Sequence, residues 1–227
     1  AYLWVSFVLN DILAERGQKI LAEKDIPTSV KEIVVAVLFS PAKKSGILQL
    51  QEHLSNYKKN GVKKLPPEVV TEILNDYSWM PCLDLQNDFW TETDVQVFYE
   101  NLVLSGPLAM SFEKACHHTH LTSDEQSLFW HIKEFAYIKD MRDIYRRKGV
   151  YAILPFFDAM ANRLGYDRKE IAYLSHRELI EALKGTFTIS QDVIKSRREG
   201  FLMRWNRDEI TITADIADIN QFKNNYI

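Results

Sequence analysis

The chain has 227 residues, 46% of them hydrophobic and 12% aromatic, with a formal net charge of −3. That composition can bury a real core, which excludes a disordered chain. The slight negative charge excludes a global basic field that would recruit nucleic acid or an acidic membrane.

Only two cysteines occur, Cys82 and Cys116. They make no disulfide framework and fit a reducing, cytoplasmic setting. The longest apolar run, Ile33 to Phe39, is far short of a membrane span. Tyr2 to Leu9 is apolar, but no basic region precedes it and no cleavage site follows, so it is not read as a signal peptide. The first residue is Ala and the chain opens mid-pattern, as an excised piece of something longer would.

Tyr2 to Lys24 reads as a helix, broken at Asp25–Ile26–Pro27. Thr28 or Ser29 is the expected cap of the next, with Glu32 at capping-box distance from Ser29. That helix runs to Phe39, and Lys44 to Lys59 forms another that Asn60–Gly61 stops. Lys58, Lys59, Lys63 and Lys64 cluster around this turn and are expected to be solvated, as charge runs usually are. Pro66–Pro67 opens a helix to about Tyr77, since proline suits the first helical positions. Trp79 to Trp90 has no periodicity and reads as a loop pinned by its aromatics. Thr91 or Thr93 caps a helix ending near Leu104, closed by Gly106–Pro107.

Cys116, His117, His118 and His120 are metal-ligand types at a poor spacing, because adjacent histidines point apart and no second ligand pair follows. A polar segment between helices is the expectation there, with no metal.

Ser123 to Leu164 reads as one very long helix or two meeting at a bend, with Ser123 as its expected N-cap. Leu128, Phe129, Ile132, Phe135 and Ala136 fall on one face, and Trp130, Tyr137, Met141 and Ile144 on the opposite one. A helix apolar on two sides has neighbours on two sides. Lys133, Lys139, Asp140, Arg142 and Asp143 are placed along the polar edges. A narrower stripe follows at Ile153, Phe157, Met160, Ala161 and Leu164. Pro155 lies between the patterns and lacks an N–H, so a kink or break is expected between Lys148 and Pro155. If continuous, the element spans roughly 63 Å.

Beyond Gly165 come a short turn or helix over Asp167 to Tyr173, a helix capped by Ser175 with Glu178, and a last helix over Val193 to Trp205. Ile210 to Thr213 alternates with a period of two and reads as a strand, which must pair to be stable. Asn220 to Ile227 reads as a tail.

The fold class expected is therefore mainly α: an elongated multi-helix bundle around a long, kinked central helix, with a short C-terminal strand. The expected divisions are residues 1–122, 123–206 and 207–227. No G-x-S-x-G elbow, phosphate-binding glycine loop or dinucleotide turn is present, so no catalytic residue is assigned. Arg142, Arg146, Arg147 and Lys148, with Arg197 and Arg198, form a candidate docking or phosphate-contact face, but Asp140 and Asp143 sit among the first four, and mutual pairing on a solvated face is the favoured reading there.

Ile171–Ala172–Tyr173–Leu174–Ser175–His176–Arg177–Glu178–Leu179, then Gly185, then Ile194–Lys195–Ser196–Arg197–Arg198, resembles the helical connecting region of phosphoenolpyruvate-utilising enzymes. The group includes phosphoenolpyruvate synthase, rifampicin phosphotransferase and pyruvate phosphate dikinase. Tyr77–Ser78–Trp79 and the order of a long helix, Arg142 to Lys148 and Gly165 resemble that region too, so the similarity covers about Asp76 to Thr213.

The resemblance implies a non-catalytic spacer in an ATP- and Mg-dependent phosphotransferase, standing between its nucleotide-binding and swivelling phosphohistidine domains. Its partners would be the flanking domains of the same polypeptide, with no nucleic acid or membrane. No cofactor is implied for this piece, and His176 falls at a variable position of the motif. The alternatives are a free-standing helical protein-interaction module and, last, a small enzyme with an unfamiliar site.

Overall fold

The computed structural model describes residues 2–103, 110–188, 190–206 and 209–226. Among them, eleven helices and one two-stranded sheet are found. The helices are α1 (Tyr2–Ala22), α2 (Thr28–Phe39), α3 (Gly46–Lys59), α4 (Pro67–Tyr77), α5 (Glu92–Glu100), α6 (Phe112–His118), α7 (Ser123–Leu164), α8 (Arg168–Ile171), α9 (His176–Leu183), α10 (Gln191–Glu199) and α11 (Ile216–Tyr226). The strands β1 (Leu202–Asn206) and β2 (Glu209–Thr213) pair antiparallel. The chain is mainly helical, as its periodicity predicts. Among the described residues no helix is long and apolar enough to cross a membrane.

The chain divides into two compact units, Ala1–Met80 with Trp90–Lys148, and Pro81–Phe89 with Gly149–Ile227. The expected boundaries at 122 and 206 fall inside these units.

The first unit holds two cores, and α7 serves both. Phe129 and Ile132 enter one with Leu38, Val34 and Ala115. Ile144 enters the other with Leu54, Val70, Ile73 and Tyr99. The two apolar faces of α7 thus go to separate clusters, while Trp130, assigned to the second face, stays 45% exposed. In the second unit Ala182 and Ile194 are buried, with Leu164, Tyr173 and Phe187 packed around them.

Several expectations are corrected. Of the kink or break expected before Pro155, the break is absent: helix α7 continues through Pro155, although that residue offers no N–H to Tyr151. Its cap is Thr122 rather than Ser123: the Thr122 N–H donates to Glu125 Oε2 at 2.8 Å, and the Glu125 N–H returns to Thr122 Oγ1 at 3.3 Å. In its last part the expected stripe holds at Phe157, Met160, Ala161 and Leu164, but Leu154 is buried in place of Ile153, which is 44% exposed. At α2 neither Thr28 nor Ser29 caps. Pro27, with its ring-fixed φ of −54°, takes the position, and no side chain bonds the first turn. The helix expected to reach Leu104 ends at Glu100; Leu104 and the Gly106–Pro107 stop lie outside the described residues. The last helix does not reach Trp205. It stops at Glu199 before Gly200, whose φ of 157° suits glycine, and β1 follows. β1 is the partner that the expected strand needed. The C-terminal tail is instead helix α11.

Candidate functional site

Helix termini leave carbonyls without partners, and three long cations of the first unit are used to meet them. Lys58, at the end of α3, donates from Nζ to the carbonyls of Tyr99, Glu100 and Leu102 at 3.3, 2.8 and 2.7 Å. These close the C-terminal end of α5, where a cation also suits the helix dipole. Lys133 repeats the device from the middle of α7. Its Nζ donates to Val37 O, Ser40 O and Ser40 Oγ at 2.8, 3.0 and 2.8 Å, at the end of α2. Lys133 is therefore buried and not on a polar edge, and desolvation lowers its pKa from the ordinary lysine value. Arg147 donates to the Met80 carbonyl, just past α4.

The same contact places the predicted basic face. Asp143 holds Arg146 at 2.7 Å and Arg147 at 2.6 Å, so these cations are paired along α7. The Lys148 ammonium lies 5.0 Å from the Trp79 ring centroid. Arg142 is half-buried on the same helix, and Arg146 is open, with its side chain 52% exposed.

Arg197 and Arg198 belong to the other unit and part company there. Arg197 is 8% exposed and engages both oxygens of Glu178 at 2.8 Å, and it donates to the Tyr173 carbonyl at 3.0 Å. A side chain so placed cannot form part of an outer docking face. Glu178 is also the partner of Ser175 in the α9 capping box, and its pKa falls to about 2, chiefly through the hydrogen bond from Arg197. Arg198 stays exposed on the rim of a cleft of about 720 Å³, lined also by Gln86, Lys169, Tyr173 and Lys195. Asp167, Glu170 and Asp192 stand in the same lining, so its formal charges balance.

No family model matches the chain, and no curated protein or solved structure is significantly similar to it.

His117 and His118 form the last turn of α6, where a polar connector was expected, and His120 follows with a φ of 48°. The rings of His117 and His118 stand 6.4 Å apart between centroids, and those of His117 and His120 6.1 Å. Among the described residues no group of three or more His, Cys, Asp or Glu could hold a metal ion. His117 and His120 instead line an open cleft of about 670 Å³ with Phe112, Glu113, Cys116 and Trp130.

The polar residues that matter most were not singled out by their sequence setting. Lys133 sits in an ordinary charged stretch of helix, and Arg168 simply follows an Asp. Arg168 is 8% exposed; it donates to Asn87 O at 3.1 Å and to Asp88 Oδ1 at 2.5 Å. Only the Ser175–Glu178 spacing carried a local signal.

Proposed function

We propose that this chain is a non-catalytic helical connecting domain of a larger, cytoplasmic phosphoenolpyruvate-utilising phosphotransferase, and that it spaces the nucleotide-binding and swivelling phosphohistidine domains. ATP and Mg would be cofactors of the parent protein, and the flanking domains would be its partners. The observation that carries the reading is the Glu178–Arg197 pair. It ties together the two segments in which the resemblance is densest, and it engages their charged groups in holding helix to helix. Charges held in this way support a mechanical role.

The outward face of the sheet supports a docking role beside it. Met203 pairs with Ile212 and Trp205 with Ile210, which puts four apolar side chains on one face. Met203 and Trp205 are 58% and 79% exposed, an apolar surface suited to a neighbouring domain of the same polypeptide.

Two measurements test this. The chain, incubated with labelled ATP and Mg²⁺ or with labelled phosphoenolpyruvate, is expected to take up no phosphoryl group and release none. Turnover or a labelled residue would overturn the non-catalytic reading. Reading the genomic frame on both sides is expected to reveal the nucleotide-binding and phosphohistidine domains, and stop codons at both edges would overturn the connecting role.

A further inference from the structure

Residues Pro81 to Phe89 carry no helix or strand, yet they form part of the second unit. The tip of this segment is stiffened from within. Asn87 Oδ1 accepts the N–H groups of Leu83 and Asp84 at 3.0 and 3.2 Å, and Asp84 Oδ1 accepts that of Gln86 at 2.8 Å. Cys82 anchors one end, fully buried.

The other end is fastened to two consecutive residues. Arg168 donates to Asn87 O and to Asp88 Oδ1, Lys169 Nζ donates to Asp88 Oδ2 at 2.6 Å, and Gln86 Nε2 donates to the Lys169 carbonyl at 3.0 Å. The apolar hold at this end is slight: the Phe89 ring meets Tyr151 edge to face at 6.2 Å, and both are well exposed.

We propose that residues 86–89 are a strap that opens and closes beside the cleft of the second unit, with the Asp88 carboxylate as its fastening. Gln86 forms a wall of that cleft, so detachment widens the approach to Lys169, Tyr173, Lys195 and Arg198. Opening does not strand a buried charge. Asp158 Oδ1 stands 2.9 Å from Arg168 Nε, an ion pair outside hydrogen-bond geometry, and it stays with Arg168 when Asp88 leaves. Asp88 itself is 59% exposed, so its hold is screened by salt.

The groups facing Asp88 are Lys169 and Arg168, with Asp158 on the far side of the guanidinium. The Lys169 hydrogen bond, helped by Arg168, keeps the Asp88 carboxyl below its ordinary pKa. A lowered folded value means that the fastening holds above the ordinary carboxylate range and weakens as pH falls through it.

Hydrogen exchange on the 227-residue chain, read by peptide mass, tests the strap. Asp88→Asn is expected to speed exchange in the peptide covering residues 86–90 about tenfold, and Lys169→Met to shift it less in the same direction. Raising salt from roughly 0.02 M to roughly 0.5 M should do likewise in the parent chain. Peptides from α9 and α10 should stay unchanged. Unaltered exchange at 86–90 in Asp88→Asn, or an equal rise in α9 and α10, would overturn the strap.

Discussion

Both carboxylate oxygens of Glu178 accept from Arg197, Oε2 from Nη1 and Oε1 from Nη2, each at 2.8 Å, across 19 residues of sequence. Oε2 also takes the Ser175 N–H at 2.8 Å and its hydroxyl at 2.9 Å. One side chain thus closes the start of α9 and ties α9 to α10. Bidentate pairs of this kind are among the stronger polar contacts, and the Glu178 side chain is only 21% exposed.

The pair gives the chain an acid-sensitive element. The Glu178 pKa of about 2 in the folded chain lies below the ordinary 4.5, so its contribution is fully present above about pH 5 and is lost as pH falls towards 2. The shift corresponds to a contribution on the order of 3 kcal/mol. Glu178→Gln should lower the urea midpoint clearly at pH 7, and the gap to the parent chain should close as pH falls from 5 to 3. A gap of constant size over that range would show that the carboxylate charge contributes little.

Two adjacent lysines separate a structural cation from a solvated one. Lys58→Met removes the side-chain donor to Glu100 O and Leu102 O, leaves Tyr99 O with the Leu102 N–H, and is expected to cost about 1–3 kcal/mol. Lys59→Met, at an exposed position, should change stability by less than about 0.5 kcal/mol. Lys133→Met should resemble Lys58→Met, because removing the desolvated ammonium leaves Ser40 O without its side-chain donor and Val37 O with the Ser40 hydroxyl alone. Urea unfolding of the three variants checks the order, and equal small effects at residues 58 and 59 would remove the capping role.

Two helical glycines should respond to alanine with opposite signs. A Cβ on Gly17 would stand 2.8 Å from Ile132 Cδ1, 3.0 Å from Phe129 Cε1 and 3.2 Å from Phe39 Cζ. Phe129 is fully buried and Ile132 nearly so, and neither can move aside freely. Gly17→Ala should therefore cost about 1–3 kcal/mol despite the better helix propensity of alanine. At Gly149, inside α7, an added Cβ would meet nothing within 4 Å beyond its own helix backbone. Gly149→Ala should stabilise by about 0.5–1 kcal/mol. Thermal unfolding of both variants reads the signs.

Identical local spelling had different outcomes along this chain. Ser175 and Glu178 form a capping box, and so do Thr91 and Asp94. Ser29 with Glu32 has the same spacing, yet Pro27 starts α2 ahead of it and no side chain caps the first turn. Thr122 with Glu125 and Ser123 with Gln126 compete within one turn, and the bonds form at Thr122. The candidate basic face was legible as a run of cations, and so was its partner Asp143, one turn away on the same helix. Met80, 67 residues distant from Arg147, and Glu178, 19 from Arg197, were not legible as partners.

Helix content, most helix starts and the two-sided character of α7 were determined by the sequence alone, since apolar period, proline and capping spacing act within a few residues. Only the tertiary structure decided which cations leave water. Lys133 and Lys59 are both lysines in helical charged stretches, and the nearest unmet carbonyls settle which is buried. The fate of residues 202–206 was likewise decided beyond local pattern: a segment that fits the end of a helix became a strand because Glu209 to Thr213 lay across from it with backbone groups to share.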